Sequence, residues 1–271
     1  MNKYLAHHHY IFLVFIFLIL FASCSKERKL QKSKDYNLIY QKALEYYAKK
    51  KYIKALPLLE EVIPIYKLTE RGESVYYYYS YCHYHIKEYY TAAFYFKTFA
   101  KTYPNSKYAE ECLYMSAICN VKTSPPNYLD QKETITAINE LQMFLNKYPE
   151  SSKKDTCNQI IDKLRSKLEK KAFQNAYQYY HMEQYRSASV ALKAMLEEYP
   201  LTSYMEEALY LIVKSDYLYA ANSIDSKKKE RFEECIKSYL NFVGFFPKSK
   251  KLKELESLYS NALSMVKRFD N

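Results

Sequence analysis

The sequence predicts an all-α protein: an α-solenoid of about five helix pairs closed by a C-terminal capping helix. Three observations carry this reading. Glycine occurs only at Gly72 and Gly244, which leaves no glycine-rich phosphate loop and no Asn-Gly or Asp-Gly hairpin turn. Apolar residues recur at helical spacing through nearly the whole chain after residue 35. Four stretches, FAKTYPNS, FLNKYPES, MLEEYPLT and FVGFFPKS, end alike. Each places an aromatic residue before Pro104, Pro149, Pro200 or Pro247 and a Ser or Thr two residues beyond. Proline cannot continue a helix and pushes its predecessor out of the α region. The hydroxyl beyond it is expected to cap the next helix. Each stretch is a helix–turn–helix joint.

Taken in order, residues 1–23 carry Lys3 as their only formal charge, and Tyr10–Ala22 is an unbroken apolar run of 13 residues. That is short of the roughly 20 residues a bilayer-spanning helix needs, and it suits the apolar region of a signal peptide, with His7–His9 as part of its polar start. An ordinary secretory signal and an N-terminal anchor helix are the alternatives. Residues 24–34 follow as a tether; SKERKLQKSK holds five basic residues and one acidic. The chain as a whole has a formal charge of +11. In an exported protein this points to lipid head groups or an acidic protein face, and no nucleic acid partner is expected.

Residues 35–150 read as N-terminal repeats and 151–271 as C-terminal repeats with the capping helix. Counting back from each joint proline, position minus 12 is Ala92, Ala137, Ala188 and Cys235. Position minus 8 is Phe96, Leu141, Leu192 and Tyr239, and position minus 15 is Tyr89, Thr134, Tyr185 and Phe232. Tyr52, Ala55 and Leu59 repeat the columns in a first unit that has Pro64 but no proline at 67. A small residue admits a neighbouring helix and a large apolar one fills the groove beside it. These columns resemble the tetratricopeptide repeat, and in the preceding helices Ala43/Tyr46 and Ala176/Tyr179 match its small and tyrosine positions. Joint spacings of 45, 51 and 47 residues exceed the usual repeat of about 34. The excess lies in the loop VKTSPPNYLDQ, the charged helix near TCNQIIDKLRSKLEKK, and NSIDSKKKE. The amphipathic segment KKLKELESLYSNALSMVKRF suits a terminal cap.

The residues offer little catalytic chemistry, so no enzyme and no cofactor are expected. The doublets Glu60/Glu61, Glu110/Glu111, Glu197/Glu198 and Glu206/Glu207 read as solvated helix faces. In SVYYYYSYCHYH (74–85), His83 and His85 are two apart and point to different faces, and no metal site is expected there. Cys82, Cys112, Cys119, Cys157 and Cys235 are an odd set without framework spacing and are expected to be buried free thiols. Tyr76, Ser80 and His83 should face the partner helix. Tyr77, Tyr81 and Tyr84 form a second stripe, on the side that lines the concave groove of the tetratricopeptide family. Tyr40, Leu44 and Tyr47, and Phe173, Tyr177 and Tyr180, are its equivalents. Such a row suits a peptide ligand; packing between neighbouring helices is the alternative.

The stretch FASC resembles a bacterial lipobox with Phe21 in place of the usual Leu, which implies a diacylated Cys24, and Ser25 after it implies sorting to the outer membrane. With FAKTYPNSKYAEECLYMSAIC and MEEALYLIVKSDYLYAANSIDSKKKERFEECIKSY, and over residues 24–268, the chain resembles the BamD-type outer-membrane assembly lipoproteins, in their Bacteroidetes form. The resemblance implies a lipid-anchored scaffold on the periplasmic side of the outer membrane. It would bind unfolded β-barrel precursors through its N-terminal repeats, and the POTRA region of BamA and other assembly subunits through its C-terminal repeats. Other envelope tetratricopeptide lipoproteins, in cell division or peptidoglycan coordination, share most of these features. A SusD-like glycan-binding lipoprotein would be about twice as long and rich in tryptophan, which is absent here. A solenoid transglycosylase would need a further catalytic domain.

Overall fold

Helices occupy every stretch in which the apolar spacing is regular. A computed structural model describes residues 33–67 and 69–269; the expectations for residues 1–23 and Cys24 lie outside them. The helices are α1 (Tyr36–Ala48), α2 (Tyr52–Tyr66), α3 (Glu70–His85), α4 (Tyr89–Thr102), α5 (Ala109–Thr123), α6 (Lys132–Lys147), α7 (Lys154–His181), α8 (Tyr185–Glu198), α9 (Met205–Ala221), α10 (Asp225–Phe245) and α11 (Leu252–Arg268). They form five pairs, α1/α2 to α9/α10, with α11 closing the last, and no strand occurs among the described residues. The protein is all-α, built of tetratricopeptide-like pairs. The chain divides into two compact units, Met1–Ser124 with Lys132–Lys154 and Pro125–Gln131 with Asp155–Asn271. No described helix is long and apolar enough to cross a membrane.

The columns are the core. Ala55, Ala92, Ala137, Ala188 and Cys235 have no exposed surface, and neither do Leu59, Phe96, Leu141 and Leu192. A further column stands five residues before each proline: Phe99, Phe144, Met195 and Phe242, all buried. In three joints the aromatic residue before the proline packs on it, at ring distances of 5.2 Å (Phe99–Tyr103), 5.6 Å (Phe144–Tyr148) and 5.8 Å (Phe242–Phe246). The five cysteines among the described residues are buried and outside any disulfide, and burial pushes the thiols of Cys82, Cys119 and Cys235 up to about 12.

The joints share one geometry, and it corrects the capping expectation. The carbonyls of Tyr103, Tyr148, Tyr199 and Phe246 each accept from the N–H three residues on, at 3.1 Å, with proline at the second position of the turn, where its fixed φ fits. The next helix starts three residues after the hydroxyl, so Tyr108, Tyr204 and Lys251 hold the cap positions before α5, α9 and α11. The hydroxyls of Ser106, Ser151, Thr202 and Ser249 instead accept from the N–H two residues on, at 3.1–3.2 Å. Three of them also donate backward to the first turn of the preceding inner helix: Ser106 to Glu73 (2.5 Å), Ser151 to Glu110 (2.6 Å) and Ser249 to Glu206 (2.6 Å). Glu110 and Glu206 are therefore tie points between pairs, contrary to their reading as solvated surface.

Turns within pairs are closed without glycine. Lys50, Lys87 and Glu183 have φ of 56°, 68° and 58°. Paired bonds around each, such as Lys87 N–H to Tyr84 O (3.0 Å) and Glu88 N–H to His83 O (2.9 Å), make a Schellman motif whose left-handed residue is usually glycine. Pro57 and Pro64 lie inside α2. The carbonyls they leave unbonded, of Ile53 and Glu60, belong to exposed residues, where water satisfies them.

Candidate peptide-binding surface

Helix α3 presents two tyrosine-bearing stripes because its residues alternate at helical spacing. Tyr76, Ser80 and His83 face inward at 8%, 0% and 8% exposure. The Ser80 hydroxyl donates to Tyr76 O at 2.7 Å, and His83 Nδ1 lies 2.7 Å from Glu88 Oε2. His85 turns away and stacks on Tyr52 at 4.2 Å. The histidines diverge, as their spacing requires.

Tyr77, Tyr81 and Tyr84 are half-buried. Tyr77 and Tyr81 both donate to Glu111 Oε1 on α5, at 3.2 and 2.5 Å. Their rings lie 4.8 Å apart, with Tyr108 at 4.5 Å from Tyr77 and Phe96 edge-on to Tyr81 at 4.9 Å. Burial, followed by the Glu111 carboxylate, holds both phenols well above their ordinary range. Tyr84 packs edge-on to Tyr89 at 5.7 Å. Tyr47, also half-buried, meets Tyr78 at 4.7 Å and Tyr52 at 5.4 Å. Tyr40 differs from the rest of the row: it is 7% exposed and packs in the first core with Tyr66 at 6.0 Å. Its position beside buried Ile39 and one turn from buried Ala43 makes it a packing residue with almost no surface for a ligand.

In the second unit the same positions behave differently. Phe173 stacks on Tyr204 at 4.6 Å and 14°, and on Tyr177 at 5.9 Å and 12°; Tyr177 and Tyr180 lie 6.5 Å apart at 14°. Tyr177 is 37% exposed. Tyr204 is the counterpart of Tyr108 and Glu207 of Glu111, each at the same count from its joint proline. Because Phe173 has no hydroxyl, Glu207 receives nothing from it and pairs with Lys251 of the next joint. The result is a row of near-parallel rings with more open surface than the carboxylate-locked tyrosines of α3.

Glu111, expected on a solvated face, instead accepts from Tyr77 and Tyr81, and the row on α9 was not anticipated from sequence. Tyr210, Lys214 and Tyr217 fall on the register of Tyr77, Tyr81 and Tyr84, and counting forward from Pro200 would have found them. The Tyr210 hydroxyl donates to Glu254 Oε2 at 2.7 Å, and Lys214 Nζ reaches Glu254 Oε1 at 2.9 Å. A separate cleft of about 500 Å³ lies between α8, α9 and α10. Within it Lys193 bridges Asp216 (3.4 Å) and Glu234 (3.2 Å), and Ser238 donates to Asp216 at 2.6 Å. Its central charges already satisfy one another.

These pairs, joints and rows sit within a recognisable sequence. Residues 32–232 match the YfiO family, described as outer membrane lipoprotein. The chain belongs to that family. The YfiO match begins before α1 and ends inside α10 at Phe232, so it takes in both aromatic rows. A protein of Aquifex aeolicus (strain VF5), provisionally named outer membrane protein assembly factor BamD, is 26% identical over 263 residues, covering 93% of this chain and 83% of its own. Among solved structures, the P58(IPK) TPR domain covers 89% of this chain and 68% of its own at 12% identity and a TM-score of 0.41. A TPR repeats protein from Bacteroides fragilis NCTC 9343 covers 85% and 99% at 16% identity and a TM-score of 0.38. The YfiO assignment associates the chain with the outer membrane.

Proposed function

We propose that this YfiO-family chain is a lipid-anchored scaffold of outer-membrane β-barrel assembly, without catalytic activity. Cys24 carries the anchor and residues 24–34 the tether, holding the repeats on the periplasmic side. The repeats of 35–150 receive unfolded barrel precursors, and those of 151–271 dock the POTRA region of BamA. The observation that supports this most directly is the family match, which runs through the described pairs from before α1 into α10. The aromatic rows add a physical means. Half-buried tyrosines offer large rigid contact area with a polar tip, the composition that carries binding energy in protein interfaces. Tyr47, Tyr77, Tyr81 and Tyr84 in one unit and Phe173, Tyr177 and Tyr180 in the other are the proposed contacts; Tyr40 is withdrawn as buried.

Crosslinking in envelopes followed by purification of the chain tests the scaffold role. BamA and barrel precursors are the expected products; division or glycan-uptake proteins in their place would reject it. A Tyr77/Tyr81/Tyr84 triple alanine variant tests the surface. Weaker binding of a barrel C-terminal peptide by a variant that remains folded is expected, and unaltered binding would remove these residues from the site.

A further inference from the structure

The repeat register lets one outward position be compared along the chain, and the two units differ there. On the outer helix of each pair, the residue 14 before the joint proline is Tyr90, Ile135, Arg186 or Glu233, with Ile53 in the matching place of the first pair. One turn later stand Pro57, Phe94, Asn139, Val190 and Lys237. In the first unit this face is apolar and open: Ile53 is 75% exposed, Tyr90 66%, Phe94 63% and Ile135 50%. Single exposed apolar side chains are ordinary. A row at one register position in three consecutive pairs, with Tyr90 and Phe94 one turn apart, is a face.

The turns leading onto this face in the first two pairs are basic. Lys49, Lys50 and Lys51 precede Ile53, Lys54 follows it, and Lys87 precedes Tyr90. Lys50 and Lys87 occupy the left-handed turn position; the second unit has Glu183 there. Of the acidic neighbours, Glu45 is engaged by Lys42 and Lys49 and Glu88 by His83, while Glu60 and Glu61 lie toward the far end of α2 and Glu133 precedes Ile135.

We propose that this face of the first unit, formed by α2 and α4 and extended by Ile135, rests on an anionic phospholipid surface. Aromatic and aliphatic side chains enter the boundary between head groups and acyl chains while lysines meet the phosphates. Charge favours this occupant over a second copy of the chain, because symmetric pairing would set the lysine rim against itself. The inference rests on the membrane location proposed above and adds a contact that the lipid anchor alone does not require.

The chain has no tryptophan, so Phe94→Trp and Val190→Trp each install a single tryptophan, excited to the red of the tyrosines, at matched positions of similar exposure, 63% and 62%. Each full-length variant, purified from membranes with its lipid, is reconstituted into vesicles containing phosphatidylglycerol brominated in its acyl chains. The expected result is a blue-shifted, strongly quenched emission for Phe94→Trp and an unquenched one for Val190→Trp. The quenching should weaken with added salt, with phosphatidylcholine alone, and when Ile53→Glu and Tyr90→Glu are added. Equal quenching of both probes, or none at Phe94→Trp, overturns the proposal. So does a blue shift at Phe94→Trp that grows with protein concentration in detergent, which would mark a self-association face. Flotation of the vesicles reports the anchor separately. If the protein does not float, quenching is read with brominated vesicles in excess, where an unquenched Phe94→Trp again overturns the proposal.

Discussion

Tyr81 shows how one side chain couples packing to ionisation. Its hydroxyl donates to Glu111 at 2.5 Å, and its phenol is held above the ordinary range by burial and then by that carboxylate. A pKa raised on folding contributes stability that is complete below the unfolded value, near 10, and is lost as pH climbs above it. Tyr81→Phe should therefore cost about 1–2 kcal/mol at neutral pH through the lost charge-assisted bond, and lose less than wild type under alkali. Urea midpoints at neutral and alkaline pH read this directly; a constant gap between the two proteins would contradict it. The two glycines make opposite predictions. A Cβ on Gly72 would stand 2.3 Å from Tyr66 O and 2.7 Å from Tyr103 Oη, whereas one on Gly244 meets nothing within 4 Å. Gly72→Ala should destabilise by about 1–3 kcal/mol, and Gly244→Ala should stabilise by about 0.5–1 kcal/mol; thermal melts of the same sign would refute the close approach at α3. Lys87, with φ of 68°, should gain about 0.5–1 kcal/mol as Lys87→Gly, and a lowered melting temperature would show that the turn is held some other way.

At the scale of the helix pair, what was legible and what was not separate along physical lines. The proline punctuation and the small column at Ala92, Ala137, Ala188 and Cys235 are local signals, and every member is fully buried. Replacing Ala188 by Leu should cost about 1–3 kcal/mol by overpacking this contact; an unchanged denaturation midpoint would mean that α8 is not seated where its register puts it. The turns at Lys50, Lys87 and Glu183 were invisible as such, because their left-handed residues are not glycine. Partner choice was the least legible. Glu111 serves Tyr77 and Tyr81 across 34 and 30 residues of sequence, and nothing in the local spacing of either segment names the other. The tyrosine stripes were readable as stripes, but Tyr40 fell inside the core of the first unit, where it packs against Tyr66 of its own pair.

For the whole molecule, the reading divides into an attachment and a set of surfaces. Cys24→Ala should leave a folded protein released from the membrane fraction, since Cys24 lies ahead of α1 and every described helix; circular dichroism and fractionation check the two halves of that statement. Firm membrane retention of the variant would move the attachment elsewhere. The backward hydrogen bonds at Ser106, Ser151 and Ser249 have a consequence for how such a chain lengthens. Each reaches only the pair immediately before it, so each junction asks its neighbour for one carboxylate and nothing more distant. A pair copied in tandem would bring its own hydroxyl and its own glutamate, and the new seam would close by the rule that closes the old ones. Growth by duplication is thus built into these three joints; the backward bond is not repeated at Thr202, the joint that follows the pair holding the long α7.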